Sequence, residues 1–396
     1  MYSSTTMRIL AIETSCDETA VSIIEAVGEF PTATYQILGN ALFSQVDIHK
    51  EFGGVFPMVT KREHAKTLVP MLEQALTEAE LLENTPTVLN DTQTEMIISR
   101  LEREDGLAGT LLEFLKSHEL PEIDLITVTS GPGLEPALWV GISFAKALAV
   151  VLDCPVVPVN HMEGHILAAL YNVVDDDALA PIAFPAIALL ISGGHTELIL
   201  MKDWAQYEKI GATRDDAVGE AFDKVARLMG LLYPGGPEIG RRADLARTAS
   251  LPPYKDKLPR PMIGSDDYDF SFSGLKTAVR YAIDGKEMTE EEKNAMSRDF
   301  EDAVTEVLIK KTTRAIDNFG AQTLIIGGGV SANNFIRRSF ETELLASHPD
   351  VEIYLPHRNL STDNSIMIAL AGHAQVAGGR TGGALALMRA DGNRSL

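Results

Sequence analysis

The sequence predicts a mixed α/β protein in which one plan is used twice, as two lobes with a central ligand cleft. Three observations carry this expectation. At 396 residues the chain exceeds what one small core needs and suits two domains of ordinary size. A hairpin pattern occurs once in each half, and so does a unit of strand, glycine-rich turn and helix.

The first hairpin has an apolar strand at residues 8–12, a small acidic turn at 13–18 and a second strand at 19–24. The second has a strand at 187–191, the turn Ser192-Gly193-Gly194-His195-Thr196 and a strand at 197–200. The strand at 126–128 runs into Ser130-Gly131-Pro132-Gly133 and a helix around 140–151. Its counterpart at 324–326 runs into Gly327-Gly328-Gly329 and a helix from about Asn333. Glycine at such turns lets backbone approach a ligand closely. The halves meet near residues 175–185, which gives an N-terminal lobe over 8–180 and a C-terminal lobe over 181–390. Two stretches read as additions: an acidic, mostly helical insertion at 82–120, and a helical insertion at 216–300 that faces the cleft.

Hydrophobic residues at 45% and charged residues at 23% describe a globular enzyme rather than a disordered or fibrous chain. The 34 basic and 56 acidic side chains give a net charge of −22, which argues against tight unaided binding to nucleic acid. Local basic spots, at Lys61, Arg62 and Lys66, at Arg241 and Arg242, and at Lys310, Lys311 and Arg314, fit solvated faces as well as binding sites. Two cysteines, Cys16 and Cys154, cannot build a disulfide framework or a thiolate cage, so a reducing compartment is expected. The stretch before Met7 lacks a signal-peptide pattern, and no apolar run approaches the roughly 20 residues of a membrane span. The expectation is a soluble, cytoplasmic protein with no membrane partner.

His161-Met162-Glu163-Gly164-His165 places two imidazoles at i and i+4, on one helix face, where they can grip one metal ion. The same spacing also arises from capping or core histidines. In a metalloprotease helix the general-base Glu directly follows the first His. Here Met162 stands in that place, and Glu163 lies one step too far round. A third ligand must come from elsewhere, and Ser361-Thr362-Asp363-Asn364, ahead of the last long helix, offers a carboxylate.

The turn at Ser192, Gly193 and Gly194 presents backbone N–H groups and a hydroxyl that can cradle a phosphate or carboxylate, although a tight hairpin without a ligand has the same form. Its first-half counterpart holds Asp17 and Glu18, which suit a metal, a water or an amine, or else flank the turn in solvent. Gly327 to Asn333 fits a purine lying against backbone or a plain helix-start turn. Asp223 with Pro234-Gly235-Gly236-Pro237 can hold a ribose through a carboxylate and a close backbone, or be helix surface and a helix-breaking loop.

Together these strings resemble the universal tRNA threonylcarbamoyltransferase family, called TsaD in bacteria and once labelled O-sialoglycoprotein endopeptidase. The resemblance spans almost the whole chain. It rests on Ile12-Glu13-Thr14-Ser15-Cys16-Asp17-Glu18-Thr19, Ser130 to Gly133, His161 to His165, Leu190 to Thr196, Asp216 to Lys224, Phe270-Ser271-Phe272-Ser273-Gly274-Leu275-Lys276 and Gly328 to Asn333. It implies the duplicated actin/hexokinase-like ATPase fold and transfer of a threonylcarbamoyl group from threonylcarbamoyl-AMP to the exocyclic amine of the adenosine 3′ of the anticodon, in tRNAs reading ANN codons. It further implies His161, His165 and Asp363 as ligands of one divalent metal, iron or zinc. Leu190, Ile191, Ser192, Gly193 and Gly194 match the phosphate or acyl-adenylate positions, Asp223 and Gly236 the ribose region, and Gly328 and Asn333 the adenosine region, for threonylcarbamoyl-AMP or ATP/AMP. Met58 and Gly240 depart from the family pattern, and the insertion at 82–120 lies outside it.

The chemistry of that reaction assigns Asp17 or Glu18 as acceptor of the amine proton. Implied partners are tRNA, the accessory proteins TsaB and TsaE where bacterial, and a dimer with an actin-like paralogue. The rival readings are a metalloprotease, an actin-like ATPase or sugar kinase, and a non-catalytic scaffold.

Overall fold

The structure, a computed structural model, describes residues 6–172, 177–254, 257–380 and 385–396. The chain divides into two compact units. One comprises Met1–Ile48, Val55–Ala180 and Asp363–Leu396, the other His49–Gly54 and Pro181–Thr362.

In chain order the first part contains strands β1 (Thr6–Glu13), β2 (Glu18–Val27) and β3 (Thr34–Ser44), and helices α1 (Val46–Lys50), α2 (Pro57–Glu78), α3 (Asp91–Arg100) and α4 (Leu107–Leu115). Strand β4 (Leu125–Gly131), helix α5 (Glu135–Leu152), strand β5 (Val156–Asn160), helix α6 (His161–Leu170) and the short strands β6 (Tyr171–Asn172) and β7 (Ala178–Leu179) follow. The near-continuous apolar runs of β1 and β4 suit strands covered on both faces, and every residue of β4 is buried. The sheet order is β5-β4-β1-β2-β3-β7-β6, with β1 antiparallel to β2 and parallel to β4.

The second part contains β8 (Ala186–Ile191), β9 (Thr196–Asp203), β10 (Gln206–Ala212), α7 (Val218–Leu228), α8 (Gly235–Thr248), α9 (Ser273–Ile283), α10 (Glu290–Phe319), β11 (Thr323–Gly327), α11 (Asn334–Ser347) and β12 (Glu352–Tyr354). Its sheet runs β10-β9-β8-β11-β12, with β8 antiparallel to β9 and parallel to β11. Five strands of the first sheet, β3-β2-β1-β4-β5, repeat this order and these senses. The repeated hairpin and the repeated crossover seen in the sequence are therefore one five-strand plan used twice.

The last helix, α12 (Ser365–Ala377), corrects the expected boundary. The expected second lobe runs from 181 to 390 and so includes α12, yet α12 packs on α6 and on strands β1, β2, β4 and β5 of the first unit. Eleven of its thirteen residues are buried, so it needs an apolar partner on nearly every side, and that sheet supplies one. The contact is close: a Cβ on Gly372 would stand 2.1 Å from Thr127 Cγ2. Of the expected junction at 175–185, residues 175 and 176 lie outside the described residues.

Neither insertion is an appendage. Ile97, Leu101, Leu107, Leu111 and Leu115 of the 82–120 stretch share one core with β1, β4 and α5, and Lys61 meets the buried Glu104 at 3.2 Å. Helices α7 to α9 and the start of α10, within 216–300, build the core that covers β8 and β11. Helix α5 also departs from expectation: with 18 residues and a mean hydropathy of 1.5 it is long and apolar enough to cross a membrane by length and composition. Of that helix, 61% is buried, in the core beneath α2 and beside β4.

Candidate active site

The first site grows from the join of β5 and α6. Asn160 ends the strand and caps the helix, its Oδ1 accepting from Met162 N at 2.8 Å and Glu163 N at 3.4 Å. That start puts His161 and His165 one above the other, with ring centroids 4.6 Å apart. Asn364 caps α12 in the same way, accepting from Met367 N at 3.0 Å, and so fixes Asp363 just ahead of the helix. Asp363 Oδ1 lies 3.4 Å from His161 Nε2 and 3.2 Å from His165 Nε2.

The three ligand atoms lie within 4.8 Å of one another. Atoms about 2.0–2.2 Å from a shared tetrahedral ion stand roughly 3.3–3.6 Å apart, and the two separations between Asp363 and the imidazoles match that spacing. A second observation agrees: His165 Nε2 is buried without a hydrogen-bond partner among the described residues, an orphan that an ion would satisfy. Burial opposes the Asp363 charge, but the two imidazoles overcome it and hold the carboxyl well below the usual carboxylate range. Burial likewise opposes a His161 cation, and Asp363 and Glu13 outweigh it, whereas burial keeps His165 below the ordinary histidine value.

Beside this trio lies the turn between β1 and β2. Burial, then Asp17 and Asp363, raise the Glu18 carboxyl well above its ordinary value, while Ser44 Oγ donates to it at 3.2 Å. Burial and the neighbouring carboxylates also raise the Cys16 thiol well above its ordinary value. The fully buried His64 holds the turn from α2, its Nε2 2.9 Å from Cys16 O and its Nδ1 2.7 Å from Thr19 Oγ1.

The second site lies wholly within the other unit, a pocket of about 610 Å³ lined by Gly193, Asp223, Gly236, Gly240, Arg241, Glu301, Gly329 and Asn333 among others. That size suits a small-molecule site. Asn333 Oδ1 caps α11 by accepting from Phe335 N and Ile336 N, and its Nδ2 donates to Glu301 at 2.7 Å. Glu301, 1% exposed, also accepts from Arg247 at 2.5 Å. Asp223 accepts from Gly235 N at 2.7 Å, which ties α7 to the start of α8 along the pocket wall.

The sequence profile of the tRNA N6-adenosine threonylcarbamoyltransferase family (TsaD) matches residues 36–88 and 107–370. The chain belongs to that family. It is 38% identical over 377 residues to the tRNA N6-adenosine threonylcarbamoyltransferase of Aromatoleum aromaticum, covering 95% of this chain and 94% of the relative. The protein of that name from Thermosipho africanus is 39% identical over 367 residues, with 93% and 94% covered. Among solved structures, T. kodakarensis HypF superposes with a TM-score of 0.52 at 11% identity. The match covers 95% of this chain but about half, 49%, of that one, and it bears on the fold alone. The family profile leaves out residues 89–106, inside the insertion expected to be outside the pattern.

Of the residues matched to the transferase family's motifs, His161, His165 and Asp363 converge, and Asp17 and Glu18 lie beside them. Gly193, Asp223, Gly236 and Asn333 share the pocket. Others fall elsewhere. Leu190 and Ile191 are fully buried in β8, and Ser192 and Gly194 are not among the residues lining the pocket. Gly328, at φ +91°, packs on its own chain, since a Cβ there would stand 2.4 Å from Ile191 O. Ser130 to Gly133, expected to approach a ligand, does likewise: a Cβ on Gly131 would meet Asp391 O at 1.9 Å, and one on Gly133 would meet Ser15 O at 2.6 Å.

The motif Phe270 to Lys276 finds its use in Asp215, which accepts from Phe272 N, Ser273 N and the hydroxyls of Ser271 and Ser273, closing the start of α9. Sequence reasoning missed Glu13, His64 and Glu301. Only Glu13 left a signal, a lone carboxylate closing an otherwise apolar strand.

Proposed function

We propose that this chain transfers a threonylcarbamoyl group from threonylcarbamoyl-AMP to the N6 amine of the adenosine 3′ of the anticodon, in tRNAs reading ANN codons, and releases AMP. The observation that carries the reading is the convergence of His161, His165 and Asp363 beside Asp17 and Glu18 in a chain of this family. The N6 lone pair is delocalised into the purine ring, so the acyl donor must be activated and both reactants oriented. The amine nitrogen bonds to the carbamoyl carbon, the bond from that carbon to the phosphate oxygen breaks, and AMP leaves with the electron pair.

His161, His165 and Asp363 are the residues that would hold one divalent ion, iron or zinc. The chemistry such an ion supplies when bound is Lewis-acid polarisation of the carbonyl. Glu18 takes the proton lost by the amine. Its environment supports that role, because burial and the neighbouring Asp17 and Asp363 raise its affinity for a proton. Asp223, Gly236 and the turn from Gly329 to Asn333 hold the adenylate in the 610 Å³ pocket. The actin/hexokinase-like assignment is supported by the repeated five-strand order. Tight tRNA binding calls on accessory proteins, because a net −22 repels phosphate. The metalloprotease reading loses its base: Glu163, 2% exposed, accepts from Gln375 and Arg380, both at 2.8 Å.

The test is transfer of labelled threonine to tRNA by the purified chain, supplied with the enzyme that makes the adenylate, with and without TsaB and TsaE. Labelled tRNA that requires this chain is the expected result. No label with the full set present would sink the proposal.

A further inference from the structure

Glu13 is the last residue of β1 and has no exposed surface. A buried carboxylate is costly unless its oxygens are met by donors, and here each is. Oε1 accepts from Ser15 N at 2.5 Å, the N–H that opens the turn carrying Asp17 and Glu18. Oε2 accepts from Thr129 Oγ1 on β4 at 2.5 Å and lies 3.1 Å from His161 Nδ1. A carboxylate oxygen accepts, and a proton on His161 Nδ1 completes that last contact. A neutral imidazole protonated there has its lone pair on Nε2, the nitrogen facing Asp363 Oδ1 at 3.4 Å.

We propose that Glu13 is the positioning residue of the metal centre. It fixes His161 as the Nδ1–H tautomer, aims Nε2 at the ion, and ties that ligand to the turn bearing Asp17 and Glu18. The arrangement is a carboxylate–imidazole–metal relay, in which the outer carboxylate sets ring orientation and ligand basicity. The inference rests on the metal reading above. Glu163 provides a contrast: it too is a buried carboxylate and lies on α6 between the two histidines, and its partners include Gln375 and Arg380.

The test uses the full chain stripped of metal by chelator and titrated with Co²⁺, read by visible absorption, with the unfolding midpoint of each metal-free variant measured alongside. Glu13→Gln keeps the shape and removes the charge, and it should weaken Co²⁺ binding about 10- to 100-fold. Glu163→Gln should leave Co²⁺ affinity at the parent value whatever it does to the midpoint. Thr129→Val removes one donor from Glu13 without touching His161 and should give a smaller loss. Parent-like affinity in Glu13→Gln overturns the inference, as do equal losses in the two Glu→Gln variants. Should Glu13→Gln fail to fold, parent-like affinity in Thr129→Val overturns it instead. A parent chain that binds no Co²⁺ removes the metal reading and this inference with it, whereas a binding parent with unaltered Glu13→Gln removes the inference alone.

Discussion

The turn joining β1 to β2 and the turn joining β8 to β9 hold the same place in two sheets of the same strand order, and they offer opposite chemistry. The first is buried and acidic, with Glu13 on a histidine and Asp17 and Glu18 beside a second carboxylate. The second is glycine, and a Cβ added at Gly193 or Gly194 would touch nothing within 4 Å. The glycine turns diverge in the same direction. Gly131 and Gly133 are filled by the chain's own residues 391 and 15, while Gly329 stands open on the pocket. Strand order decides where a turn emerges; its side chains decide whether it offers charge or bare backbone.

The comparison breaks most visibly if the two chemistries are not separable. His161→Ala, His165→Ala and Asp363→Ala should each lower metal affinity by at least the roughly 10- to 100-fold typical of outer-shell changes. Calorimetry should find adenine-nucleotide binding unchanged in all three. Full metal content by elemental analysis in every one of them would end the metal centre. The reciprocal variant is Gly236→Val, where a Cβ has open space and the chain should fold. Its nucleotide affinity should fall roughly tenfold, a loss of about 1.4 kcal/mol, with metal content intact. Undiminished affinity would put the nucleotide elsewhere.

A finer probe sets two glycines against each other. Gly131→Ala forces a Cβ onto Asp391 O at φ +145° and should cost about 1–3 kcal/mol in thermal unfolding, whereas Gly194→Ala should stay within about 0.5 kcal/mol. Equal costs would mean the two turns are filled alike. The smallest effect expected is from acid. Burial opposes the Asp215 charge, but the Ser271 and Ser273 hydroxyls and the backbone N–H groups of Phe272 and Ser273 bring its carboxyl down to about 2. A depressed folded-state value means the contribution is present above the ordinary carboxylate range, near pH 4, and is lost as pH falls through about 2. The stability gap between parent and Asp215→Asn should therefore close over that window. A gap that persists below it would show the carboxylate charge to be irrelevant.

Much of this was legible in the chain because its signals are local. Short apolar runs on either side of a small polar turn marked β1, β2, β8 and β9, and the i, i+4 spacing marked His161 and His165 as neighbours. Asp363 was readable only as a carboxylate ahead of a helix, since nothing local says that α12 packs on α6. Glycine was legible as close approach but silent about what approaches: Gly131 and Gly328 meet their own chain, Gly329 lines the pocket. Glu13 went unread as a ligand partner because its contacts with Thr129 and His161 span 116 and 148 positions. The 82–120 stretch reads as an insertion because it is polar and acidic as a whole, and α3 buries only Ile97.

The return of α12 to the first sheet has a consequence in time. His161 and His165 leave the ribosome about 200 positions ahead of Asp363, a wait of roughly 10–40 s at about 5–20 residues per second. Through that wait the nascent first unit shows a bare face where α12 will lie, and the two imidazoles lack their carboxylate. A chain whose synthesis halts before Asp363 therefore lacks the carboxylate of the proposed metal centre, so on that proposal metal binding waits on nearly the whole chain being made.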